Sequence, residues 1–175
     1  MKTFETSTAH KLTWRRGIGL KNTFELYSMD NIVGRLSIEP NRQISLAESA
    51  ESSWIFRNSN FVSPNVSIWT MDTEFVAMFD GNREGNGILL FQDGTRIKWE
   101  KAQKLQSEWV FQNLVGESVL KVIPNKSDNR IIGTVITIPE YAESSNIIML
   151  ILLGWNIIYL LDSMIAMKSL TSKTF

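Results

Sequence analysis

The chain contains no cysteine and a single histidine, His10. Without a thiol, disulfides, thiolate nucleophiles and cysteine-ligated metal or iron–sulfur sites are excluded. Any serine–histidine triad or histidine-rich metal site would have to be built on His10, which lies in a polar N-terminal stretch where a solvated side chain is the expected state. An excess of either charge is also missing: 18 basic residues face 18 acidic ones, for a formal net charge of zero. Duplex nucleic-acid binders draw most of their affinity from phosphate neutralisation and carry a basic surplus, so no nucleic-acid partner is expected. The stretch from Met1 to Leu20 has no apolar core of the kind a secretory signal needs. Together with the missing cysteines, this makes a reducing, cytoplasmic setting the expectation. The matches Asn65-Val66-Ser67 and Asn125-Lys126-Ser127 to a glycosylation acceptor are then chance.

What is present is an ordinary globular composition, 43% apolar and 21% charged over 175 residues, which suits one domain with a substantial core. Up to about Ile138 the sequence alternates apolar and polar residues, the period of a sheet with one buried face. Ile32, Gly34, Leu36 and Ile38 read as one face, and Val33, Arg35, Ser37 and Glu39 as the other. Arg96–Glu100 and Glu108–Gln112 alternate as cleanly. Further strands are expected at Leu12–Arg16, Thr23–Ser28, Gln43–Ala47, Ser53–Arg57, Val66–Met71, Glu74–Phe79, Gly87–Gln92, Glu117–Ile123 and Ile131–Ile138. Asp30-Asn31, Asp80-Gly81-Asn82, Asp93-Gly94 and the run Asn125 to Asn129 supply turn chemistry between them, and Asp93-Gly94 is the strongest hairpin signal. A spacing of about ten residues leaves room only for short loops, so the sheet is antiparallel, and about a dozen strands call for closure, which removes exposed edges.

From Asn146 to Lys168 the pattern changes to a segment apolar on every face, with Ser144, Ser145 or Asn146 as its N-cap and Lys168 suited to its C-terminal end. Such a helix is either buried in protein or crosses a bilayer. The uninterrupted run from Ile147 to Leu161 already holds Gly154 and Asn156, and reaching the roughly 20 residues of a span requires Asp162 and Ser163. A helix of about 20 residues is about 30 Å long, the height of a small barrel. A barrel of about twelve strands is too wide for its own side chains to fill. The fold expected is therefore mainly β: a closed antiparallel barrel of about twelve strands, 12–138, around a hydrophobic C-terminal helix, 146–168, with Asn156 hydrogen-bonded to the barrel and Asp162 reaching solvent. Five of the six tryptophans, at 14, 54, 69, 99 and 109, fall in strand patterns and are expected in the core. Trp155 and Tyr159 lie one helical turn apart facing the wall.

The strand succession from Leu12 to Ile138 followed by the apolar helix from Ile147 to Met167 resembles the tubby-like superfamily, which covers tubby C-terminal domains, plant LURP-one-related proteins and phospholipid scramblases. The likeness spans nearly the whole chain. It is nearest to small bacterial members with a segment similar to Leu152-Leu153-Gly154-Trp155 in the last helix. What the resemblance implies is a twelve-stranded barrel around a central helix and, from some members, binding of lipid headgroups through surface basic residues. The cysteine-rich stretch of scramblases has no counterpart in this chain, and no calcium-binding segment of theirs is recognisable in it.

Of the remaining motifs, Asp80-Gly-Asn82-Arg-Glu84-Gly85 begins like a calcium loop, but its twelfth position is Phe91 instead of a bidentate acid, so a hairpin loop is expected. Gly17-Ile18-Gly19 and Gly85-Asn86-Gly87 lack the continuation of a phosphate loop. Glu48/Glu51 and Asp72/Glu74 read as surface charges. The one charge asymmetry is N-terminal: Lys2, Lys11, Arg15, Arg16 and Lys21 stand against Glu5 alone, with Trp14 among them. Basic residues beside an aromatic suit an anionic headgroup, which makes Lys11, Trp14, Arg15, Arg16 and Lys21 the candidate lipid site, against the plain alternative of a solvated first strand with Trp14 packed inward. No acid, base and nucleophile assemble at recognisable spacing, so no catalytic residue, metal or cofactor is expected. The leading expectation is a non-enzymatic interaction domain associating peripherally with anionic membrane lipid or a protein partner. A protein anchored by its C-terminal helix and an enzyme using scattered carboxylates are the alternatives.

Overall fold

The computed structural model describes residues 1, 11–17, 22–39, 43–59, 62–102, 107–125, 131–142 and 146–171. Twelve strands run in chain order: β1 (Lys11–Arg16), β2 (Thr23–Ser28), β3 (Asn31–Glu39), β4 (Ile44–Ser49), β5 (Ser53–Asn58), β6 (Asn65–Thr70), β7 (Phe75–Gly81), β8 (Gly87–Phe91), β9 (Arg96–Lys101), β10 (Trp109–Gln112), β11 (Ser118–Pro124) and β12 (Ile131–Thr137). Each pairs antiparallel with its sequence neighbours, and β1 pairs with β12 to close the barrel. A short helix α1 (Pro139–Ala142) then leads to α2 (Ile147–Thr171), whose first turn closes with the Leu150 N–H donating to the Asn146 carbonyl at 2.9 Å.

Short hairpins set this order. In the β8–β9 turn, Gly94 takes φ +88°, Asp93 accepts the Thr95 N–H at 2.8 Å and the Phe91 N–H donates to the Thr95 carbonyl at 2.9 Å. Gly85 and Gly116 take φ +90° and +87° in the β7–β8 and β10–β11 turns, where Asn82 and Asn113 accept the backbone N–H groups that follow. The segment that begins like a calcium loop is one of these turns.

The inward faces of the strands and all sides of α2 form one core. Met149, Ile151, Leu152, Leu153 and Ile157 have no exposed surface. Contact between helix and wall is reciprocal in size. A Cβ on Gly154 of the helix would lie 3.0 Å from Trp99 of β9, and a Cβ on Gly133 of β12 would lie 2.4 Å from Trp155 of the helix. Each glycine is the seat of a tryptophan from the other element. Trp155 also stacks on Trp14 at 5.1 Å between ring centroids, and Phe24 meets both Trp155 and Tyr159 edge-on. Asn156, 1% exposed, accepts a hydrogen bond from the Ser45 hydroxyl at 2.6 Å, so the one amide carried deep into the lumen has a partner, as expected. Asp162 is exposed near the C-terminal end of the lumen. The indole N–H groups of Trp14 and Trp99 are buried without a hydrogen-bond partner, each at a cost of about 1–3 kcal/mol.

Two expectations need correction. Val33 does not face outward: Leu26 pairs with Gly34 and Tyr27 with Ile32, leaving Val33 as a bulge residue that buries next to Gly34. Trp69 is not in the core. Val66 and Ile68 take the inward positions of β6, so alternation turns Asn65, Ser67 and Trp69 outward, where Trp69 is half-buried.

The lumen is filled tightly enough that added methyl groups should register. Replacing glycine by alanine inside a helix or strand ordinarily gains about 0.5–1 kcal/mol. At Gly133 the rigid Trp155 ring stands in the way at 2.4 Å, so Gly133→Ala is expected to lose about 1–3 kcal/mol net. At Gly154, with the nearest ring atom at 3.0 Å, the two effects should roughly cancel. Urea unfolding midpoints of the two variants measure the difference.

Candidate functional site: an apolar wall and a cleft at the barrel mouth

Among the described residues, the N-terminal basic side chains do not gather into a patch. Trp14 is fully buried against Trp155 and presents no ring at the surface, which removes it from the expected lipid site. Lys11 and Arg16 are exposed at opposite ends of β1, about 17 Å apart at the usual rise per residue. Arg15 lies with its guanidinium carbon 4.2 Å from the Tyr27 ring centroid, and its register partner is Glu25. Glu25 pairs in turn with Arg35 at 3.1 Å and accepts the Tyr27 hydroxyl at 3.0 Å. The charge of Arg15 is thus balanced within a row running Arg15, Glu25, Arg35, Glu48 across four strands. Lys21 and His10 lie outside the described residues.

The outer wall over β5–β9 carries the feature that alternation alone did not reveal. Register places Arg57, Ser67, Met78, Leu90 and Arg96 in one row across five strands, about 19 Å from end to end at the usual strand spacing. Met78, Ile88 and Leu90 are 42%, 46% and 42% exposed. Trp69 adds its ring at the edge, packed against Phe75 at 5.3 Å, with its N–H donating to the Ser67 hydroxyl at 2.9 Å and Arg57 5.6 Å away. Arg57 and Arg96 make no ion pair among the described residues, whereas Lys98 on the adjacent row is paired with Glu100 at 2.7 Å. Asp80 is the remaining carboxylate on this wall. The signal was available in the sequence as apolar residues at both parities of β7 and β8, but it needed the register to become a patch.

The two ends of the barrel differ. At the end where α2 begins, the described connections at 29–30, 50–52, 71–74, 92–95, 113–117 and 138–142 hold Asp30, Glu51, Asp72, Glu74, Asp93, Glu117 and Glu140 and neither lysine nor arginine. Carboxylates near a helix N-terminus are favoured by its dipole. At the other end a cleft of about 710 Å³ opens between α2 and the barrel rim. Buried Trp109, Ile158, Leu161 and Met164 form its floor, and exposed Arg83, Glu84, Lys101 and Asp162 form its lip.

Three side chains show displaced protonation. Burial, and then the hydrogen bond to Glu25, pushes the Tyr27 phenol above its ordinary value. The hydrogen bond to Glu117 does the same for Tyr141, which also meets Asn113 at 2.9 Å. The Thr95 backbone and hydroxyl hold the Asp93 carboxyl low. Among the described residues, no group of three or more acidic or histidine side chains is placed to hold a metal ion. Comparison with protein-family models, with curated proteins and with solved structures finds no match to this chain.

Since both raised phenols favour the neutral form, their contribution to stability is complete below about pH 10 and is lost as pH rises through the raised folded values. Ultraviolet difference titration should show tyrosines ionising later than free tyrosine, one such ionisation disappearing in Tyr27→Phe and another in Tyr141→Phe.

Proposed function

We propose that this protein is a non-enzymatic interaction domain that docks side-on to an anionic membrane surface through the wall over β5–β9. The observation that carries the reading is the row of apolar side chains, Met78 and Leu90, bounded at both ends by arginines with no acidic partner among the described residues. Interfacial binding scales with apolar area entering the headgroup boundary and with attraction of basic residues to anionic lipid. Arginine at the border reaches phosphate while its stem stays on the apolar surface, and an indole with its N–H held at the edge suits the same depth. The wall is convex. A protein partner would have to match that curvature, whereas a fluid bilayer supplies its own complementarity. The acidic connections at the α2-entry end favour a side-on over an end-on approach to an anionic surface.

The tubby-like resemblance supports the same reading at the level of architecture, although the basic residues described on β1 are dispersed, with Lys11 and Arg16 at opposite ends and Arg15 set opposite Glu25. The non-enzymatic half is supported by the displaced groups Tyr27, Asp93 and Tyr141, which lie on separate elements, each with a local cause for its shift.

Co-sedimentation with vesicles containing phosphatidylserine is the test. Binding is expected to fall by about ten-fold or more in Leu90→Asp and in Arg57→Glu/Arg96→Glu, to weaken with salt, and to be unchanged in Lys11→Glu/Arg16→Glu. Loss in the last variant alone would move the site to β1. Failure of the native protein to bind acidic vesicles would remove the membrane reading and leave the wall to a protein partner.

A further inference from the structure

The cleft at the C-terminal mouth has a composition that the wall does not share. Its floor is apolar and already buried: Trp109, Leu161 and Met164 are 6%, 9% and 7% exposed. The β7–β8 turn closes one side so closely that a Cβ on Gly85 would sit 2.3 Å from Leu161 and 2.9 Å from Trp109. At the lip stand two cations and two exposed carboxylates, Arg83 and Lys101 with Glu84 and Asp162, while a third lining carboxylate, Glu100, is already paired with Lys98 at 2.7 Å. None of the four forms an ion pair among the described residues. Lys101 instead places its ammonium 5.4 Å from the Trp109 ring centroid.

We infer that this cleft binds a single-chain amphiphile with a zwitterionic head. A volume of about 710 Å³ is within the range of about 300–1,000 Å³ usual for small-molecule sites. The buried floor offers the alkyl chain apolar surface at about 25 cal/mol per Å² removed from water. The lip decides the head. An anionic head would satisfy Arg83 and Lys101 but face Glu84 and Asp162, and a cationic head would meet the reverse conflict. A head with both signs satisfies all four. This inference does not rest on the membrane reading, because it concerns a soluble monomer entering the barrel mouth and not a bilayer meeting the wall.

The experiment is calorimetric titration of the full chain with lysophosphatidylcholine below its micelle concentration, beside a fatty acid and an alkyltrimethylammonium of equal chain length. The zwitterion is expected to bind at least about ten-fold tighter than either singly charged amphiphile. Glu84→Ala/Asp162→Ala should abolish its advantage over the fatty acid, and Arg83→Ala/Lys101→Ala its advantage over the alkylammonium. Leu90→Asp on the wall should change neither. All four lip residues are exposed, and circular dichroism of each variant checks that the barrel is kept. Equal binding of the three amphiphiles, preference for a singly charged head, lip variants that leave the preference intact, or no binding at all would overturn the proposal.

Discussion

A twelve-stranded barrel cannot fill its own lumen, and an all-round apolar helix cannot stand in water. The rest of the structure depends on how well the one fits the other, and two glycine–tryptophan contacts set that fit. Trp99 from the wall occupies the gap left by Gly154 on the helix, and Trp155 from the helix occupies the gap left by Gly133 on the wall. Because the exchange runs both ways, it fixes the rotation of α2 as well as its depth. The Ser45–Asn156 hydrogen bond then adds a polar check on the same register, since sliding or turning the helix would leave a buried amide without a partner. Helix α2 is long and apolar enough to cross a membrane, yet 72% of its apolar stretch, Ile147–Ala166, is buried within the barrel.

With the lumen occupied by side chains of α2, the surfaces left for recognition are the outer wall and the two mouths, and these are chemically distinct. The mouth where α2 begins is acidic. The wall over β5–β9 is apolar with arginine borders. The opposite mouth combines a buried aromatic floor with charges of both signs. Net charge of zero therefore conceals an ordered distribution, and the row Arg15, Glu25, Arg35, Glu48 shows how neighbouring strands can cancel charges that look clustered in the sequence.

Architecture was legible because it rests on period and turn chemistry. All twelve strands fall where alternation placed them, and the hairpin at Asp93-Gly94 has the conformation its residues demand. The polar interruptions of the helix announced its surroundings: Asn156 required a partner, and Asp162 required an exit to solvent. Sites were far less legible, because they depend on parity and register. Trp69 reads as core until Val66 and Ile68 claim the inward positions. Val33 reads as outward until the bulge opposite Leu26 and Tyr27 shifts it by one residue. Trp14, three residues after Lys11 and directly before Arg15, reads as an interfacial aromatic, but its parity with Leu12 places it in the lumen. The cleft at the mouth unites residues 83, 101, 109 and 162, a grouping with no linear signature.

The sheathing of α2 by the barrel can be tested directly in solution. The absence of cysteine makes a direct measurement simple: thiol labelling of two single-cysteine variants prepared without detergent, Leu152→Cys in the middle of the lumen and Ile165→Cys at the exposed end of the helix. Rapid labelling is expected at 165, and protection at 152 that is lost only on unfolding. Equal labelling at both positions in folded protein, or recovery of the chain only from detergent extracts, would contradict it.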